Sequence, residues 1–136
     1  MRANEAERHA GLAPTPGYRY AEPVGDQLFV AGQVPLDGDG QLVGRGDPAA
    51  QARQCLDNLR TLVTVHGFAV GDVRHLTIHV VGERSALTEA WSAVTGWFGD
   101  DPVAPATLLG AAALGHADQL VEVDATVLRS PTDRAG

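Results

Sequence analysis

The 136-residue sequence contains no lysine: all ten of its basic residues are arginines, set against 17 acidic residues for a formal charge of −7. The arginines are scattered along the chain. Such a surface does not neutralise a run of phosphates, which argues against sequence-directed nucleic-acid binding. There is a single cysteine, Cys55, so no intrachain disulfide is possible. No apolar run approaches the roughly 20 residues of a membrane-spanning helix. The opening stretch "MRANEAERHAGLAPTPG" lacks the apolar centre of a secretion signal. The expected setting is the cytoplasm, with no membrane partner. No internal repeat is visible.

What remains is ordinary globular material, 44% apolar, of a length that suits one domain with a real core. The apolar run 27–34 is flanked by Gly25-Asp26 and Pro35 and reads as a strand, paired with 18–24 through that turn. Asp47 and Pro48 open the clearest helix, as N-cap and first-turn residue. Ala52, Cys55, Leu56, Leu59, Leu62 and Val63 form its apolar stripe, and Gly67 ends it. Cys55 lies inside that stripe and reads as a small buried hydrophobe. Residues 73–81 alternate, with Leu76, Ile78 and Val80 on one face and His75, Thr77 and His79 on the other. A second helix follows over 85–98, with a stripe of Leu87, Trp91, Val94 and Trp97/Phe98, and then two strands, 106–114 and 119–129. Residues 1–16 and 130–136 are polar and are expected to be loose flanks of a domain spanning 17–129. The order β-β-α-β-α-β-β implies an α+β domain with two helices on one face of a mixed sheet. The opposite face, with Thr77, His79, Leu120, Glu122 and Asp124, is half apolar. A symmetric neighbour is its simplest cover.

The chemistry-bearing residues narrow the choices. His75 and His79 are four apart on a strand, hence about 13 Å at ~3.3 Å per residue. That is too far to share one zinc ion, and no metal site is expected. No GxSxG elbow appears, and the glycines of "GDGQLVGRG" do not form a phosphate loop. Glu122 lies mid-strand between two core-facing valines. It reads either as a solvated carboxylate on an open face or, once a second subunit covers that face, as a general acid or base. His79 is a weaker candidate, and the pattern makes no His/Asp pair evident.

"LFVAGQVPLD", "GDPAAQARQCLDNLRTLVTVHGFAVGDVRHLTIHVV", "PAT" and "LVEVDATV" resemble, in order, the successive motifs of the reactive intermediate deaminase (Rid) family, of the RidA/YjgF type, once also labelled as a ribonuclease. The resemblance covers roughly residues 17–129. It implies a chorismate-mutase-like two-layer fold, a homotrimer, and small ligands bound in three clefts between subunits. The implied activity is cofactor-free hydrolysis of reactive imines and enamines. Glu122 matches the family glutamate and Tyr18 its N-terminal tyrosine. Thr107 stands where the family has an arginine that grips the substrate carboxylate. Ala31 replaces a serine, Trp91 an asparagine and Leu109 a cysteine.

These departures make the cleft less cationic and more apolar. Threonine cannot copy a bidentate guanidinium–carboxylate contact. Another arginine, such as Arg19, could reach in instead. The expectation is a divergent member of specialised metabolism acting on a relatively apolar imine or enamine, with catalytic Glu122. Tyr18, Ala31, His79, Trp91, Thr107 and Leu109 would line the cleft, and deamination of small imino acids would be weak or absent. The alternative is a non-catalytic ligand-binding or regulatory trimer.

Overall fold

The hairpin at the start of the sheet shows how local chemistry sets the frame. In a computed structural model, which describes residues 5–131, strand β1 (Ala21–Val24) turns directly into β2 (Gln27–Val30). Gly25 has φ +60, the left-handed value that the first central position of a two-residue hairpin turn requires. Helix α2 (Pro48–Val65) is closed at both ends by its own sequence. The Asp47 carboxylate accepts from the Ala50 N–H at 3.1 Å. At the other end Gly67 has φ +81, and the Phe68 and Gly67 N–H groups donate to Val63 and Thr64. That paired arrangement satisfies carbonyls the helix leaves open. Every residue of the expected α2 stripe is buried.

Strand β3 (Val73–Val81), helix α3 (Arg84–Phe98), strand β4 (Ala106–Ala111) and strand β5 (Val121–Leu128) complete the domain. The sheet order is β1-β2-β5-β3-β4. Only β3 and β4 run parallel, joined by α3 as a crossover; the other pairs are antiparallel. Leu28, Leu76, Ile78, Val80, Val121, Val123 and Val127 meet α2 and α3 in one core. This is the α+β two-layer architecture expected from the order of elements.

The structure departs from the sequence reading in several places. The fully buried side of α3 is Ala90 and Val94, with Ala93 nearly so, while Leu87, Trp91, Trp97 and Phe98 border the core. Small residues let α3 approach both α2 and the sheet closely. Strand β4 ends at Ala111 because its ladder ends where β3 does, at Val81. Residues 5–16, expected to be loose, include a short helix α1 (Glu5–His9) docked on α2. Its Glu7 is 2% exposed and lies 2.7 Å from His66 Nε2. Leu12, Tyr20 and Leu62 form a small second core beside it. Residues 1–4, and the expected tail beyond Pro131, lie outside the described residues.

Gln51 ties the first turn of α2 to the loops around it. Its amide Nε2 donates to the carbonyls of Gly44 and Asp118, at 3.0 and 3.2 Å. Its Oε1 accepts from the N–H groups of Leu120 and Val121, at 2.6 and 3.3 Å. The side chain is fully buried. Leaving a buried backbone donor unpaired costs about 1–3 kcal/mol. Gln51→Leu is therefore expected to destabilise the fold by about 2–4 kcal/mol, read as a lower urea midpoint with an unchanged slope.

Candidate functional site

The site is built on the sheet face turned away from the helices. Val121, Val123 and Val127 of β5 point into the core, so the pleat turns Glu122 and Asp124 to the other side. In register, Glu122 lies opposite His79 and Asp124 opposite Thr77. On the far side of β3, Leu109 pairs with His79 and Thr107 with Thr77. Two rows thus cross three strands: Leu109–His79–Glu122 and Thr107–Thr77–Asp124. A diagonal contact links them, with His79 Nε2 3.0 Å from Asp124 Oδ2.

Glu122 is held from two directions. The Gln119 side chain, 3% exposed, donates from Nε2 to Glu122 Oε1 at 3.1 Å. On the β2 side, residues 31–33 run beside β5, with paired backbone bonds between Gln33 and Val123 at 2.7 and 3.1 Å. This brings Gly32 against both carboxylates. A Cβ on Gly32 would sit 2.2 Å from Glu122 Oε2 and 2.9 Å from Asp124 Oδ1. Any larger residue there would push the two carboxylate ends from these positions.

Tyr18 and Ala31 line an adjoining hollow of about 360 Å³, with Arg19 and Phe29. Burial, reinforced by the charge of Glu122, raises the Tyr18 phenol above its ordinary value of 10.0. Tyr20 is pushed up to about 12, mainly by burial, and its hydroxyl donates to the Ala13 carbonyl at 2.5 Å. Arg19 lies 3.3 Å from Glu22 in an exposed pair. Pairs of this kind contribute little to stability, so the arginine is only lightly held.

The structure therefore gathers Tyr18, Ala31, His79, Thr107, Leu109 and Glu122 around one face. It does not bring Trp91 there. That side chain extends from α3 against the core cluster, on the helix side of the sheet. A larger groove of about 640 Å³ lies between α2 and α3, lined by Arg53, Glu89, Ser92 and Trp97 among others. It contains none of these residues. Cys55 is buried in the core, its thiol pushed well above its ordinary value chiefly by burial. A thiol held in that form is a poor nucleophile.

The sequence reading missed three residues of the site: Asp124 as the partner of His79, Gln119 as the holder of Glu122, and Gly32 as the space for both acids. Asp124 was legible as a neighbour on the same face, two residues after Glu122. Its diagonal reach to His79 depends on strand register. The placement of Gln119 and Gly32 depends on how the loops return to the sheet. An imidazole and two carboxylates at this spacing can bind a polar centre and move protons.

The tyrosine–glutamate contact has a direct test. A phenolate is disfavoured beside a carboxylate, so removing that charge eases its ionisation. In Glu122→Gln the Tyr18 phenol is expected to titrate at lower pH than in the wild type. It should stay above 10.0, because burial is the larger cause of the shift. Ultraviolet titration against a Tyr18→Phe control reads this; an unchanged Tyr18 titration would place the two side chains apart.

Comparison with known proteins gives consistent relationships. The family described as Endoribonuclease L-PSP matches residues 9–129. A RutC family protein of Sulfurisphaera tokodaii is 32% identical over 95 residues, 70% of this chain and 75% of its own. The 2-iminobutanoate/2-iminopropanoate deaminase of Escherichia coli K12 is 39% identical over 57 residues, 42% of this chain and 44% of its own. The crystal structure of the E. coli YjgF gene product superposes with a TM-score of 0.76 at 26% identity, covering 87% of this chain and 92% of that one.

Proposed function

Because the chain belongs to the Endoribonuclease L-PSP family, which takes in the Rid proteins of YjgF and RutC type, we propose that it hydrolyses a small, relatively apolar imine or enamine in a cleft between subunits. Glu122 is the proton carrier. The carrying observation is its setting: one oxygen held by Gln119, the other in the space left by Gly32, on a sheet face beside His79. The E. coli relative whose name specifies 2-imino acid deamination supports the reaction class. Adding water to C=N requires a group that takes a proton from the water and returns one to the departing nitrogen. One well-held carboxylate can serve both steps in turn. No cofactor is needed for either.

The same face supports a homotrimer. Among the described residues, the exposed large hydrophobics Tyr18, Val24, Phe29, Leu109 and Leu128 all belong to it or to the segment leading onto it. Exposed apolar side chains gathered on one face favour a partner there. A partner there would also turn the open face into an enclosed cleft. Sedimentation equilibrium at micromolar concentration is expected to give three times the 14.2 kDa chain mass. A monomer would refute the inter-subunit site.

Substrate preference follows from Thr107, an exposed hydroxyl where the family resemblance places a carboxylate-gripping arginine. A hydrogen bond to a charged group contributes about 1.5–3 kcal/mol, a factor of roughly 10–150 in binding. The protein should therefore clear 2-iminobutanoate, generated by an amino-acid oxidase, poorly. N-benzylidenemethylamine, an apolar imine without a carboxylate, should be hydrolysed faster than in a protein-free blank. Glu122→Gln should reduce that turnover at least about a hundredfold while the trimer persists. Unchanged turnover would end the catalytic assignment and leave a ligand-binding protein.

A further inference from the structure

We propose that His79, oriented by Asp124, is a second acid–base group of this cleft and divides the proton transfers of imine hydrolysis with Glu122. The inference rests on the reading above and deepens it by adding a residue pair which that reading does not require.

The geometry has three parts. The His79 ring is anchored at Nε2, 3.0 Å from Asp124 Oδ2. A carboxylate bound to one ring nitrogen fixes the imidazole and reserves the other nitrogen for a ligand. Nδ1 has no partner among the described residues. His79 and Glu122 are register partners on neighbouring strands, and the Cβ atoms of such pairs lie about 4.5–5.5 Å apart. A C=N group of two heavy atoms can therefore meet both side chains. Finally, the surroundings of the imidazole are acidic or neutral: Glu122 and Asp124 on β5, Leu109 and Thr107 on β4, His75 and Thr77 on its own strand, and the Tyr18 phenol beyond Glu122. His75 is the one further group among these able to carry positive charge.

The pair adds little to folding. The side chains of His79 and Asp124 are 26% and 51% exposed, and pairs this open contribute little to stability. Its substitution therefore probes chemistry more than stability.

The proton balance closes with these two groups. The imidazolium of His79 gives its Nδ1 proton to the imine nitrogen. Water adds to the carbon, forming the C–O bond, as Glu122 takes one of its protons. The product is a neutral carbinolamine, beside neutral His79 and protonated Glu122. Glu122 then protonates the nitrogen, and the C–N bond breaks with its electron pair remaining on nitrogen. The hydroxyl proton returns to His79 as the carbonyl forms. Imine and water become carbonyl and amine, and both side chains recover their starting states. With Glu122 alone, one carboxylate must serve both the water and the nitrogen side of the substrate.

The test uses the full chain, with N-benzylidenemethylamine as the probe and protein-free blanks containing the same buffer. His79→Ala is expected to lower kcat at least about tenfold with KM within about twofold, and added imidazole should restore part of the rate. Asp124→Asn should lower kcat by a smaller factor at unchanged KM, as expected of a positioning residue. Sedimentation and thermal melting of both variants should match the wild type. A wild-type protein inactive on the imine would remove the proposed function and this inference together. If wild type is active and Glu122→Gln is not, a His79→Ala rate equal to wild type overturns this inference alone. A His79→Ala loss that imidazole does not restore would mark a packing role and overturn it equally.

Discussion

Strand β5 is confined between β2 and β3, and its two-residue period constrains most of what this protein can do. Val121, Val123 and Val127 are fully buried, so the strand cannot slip by one residue without carrying carboxylates into the core. Burying an unpaired carboxylate there would cost far more than any compensating contact. The register of β5 against β3 is therefore tightly specified. With it come the positions of Glu122 opposite His79 and Asp124 opposite Thr77. The acid–base residues sit on one face because the valines must sit on the other.

The loops act on that constraint from outside the sheet. Gln51, buried in α2, accepts the N–H groups at the entry to β5 and thereby fixes where the strand begins. Gln119, next to that entry, holds one oxygen of Glu122. Gly32 leaves room for the other, and its approach is set by the backbone pairing of Gln33 with Val123. A single helix side chain, a loop amide and a missing Cβ thus determine the direction of one carboxylate. The electrostatic setting is equally plain: the acids of this face are met by an imidazole and a phenol, with Arg19 held lightly at the edge by Glu22.

The elements with strong local signals were legible. The Asp47-Pro48 start and Gly67 end of α2, the Gly25-Asp26 hairpin and the alternation of 73–81 all depend on neighbours within a few residues. The structure contains each of them. The misjudged features depend on distant partners. Glu7 belongs to a segment that reads as loose because its anchor, His66, is 59 positions away. Trp91 packs against the core as its place in the α3 stripe implies, beside the fully buried Ala90 and Val94, and so does not reach the sheet face where the family resemblance places it. The His79–Asp124 contact spans 45 positions and follows a diagonal that pattern alone does not specify.

Composition and periodicity by themselves determined that this is an acidic, lysine-free α+β fold, that β5 has an apolar and a polar face, and that Glu122 stands on the polar one. These properties follow from side-chain chemistry read at spacings of two and 3.6 residues, which any chain of this sequence carries into its fold. Tertiary structure alone decided which polar groups meet: His79 with Asp124, Gln119 with Glu122, and Gly32 against both acids. The reason is physical. A hydrogen bond needs its atoms about 3 Å apart, and residues this far apart in sequence come that close only when strand register and loop return are both set by the packed core.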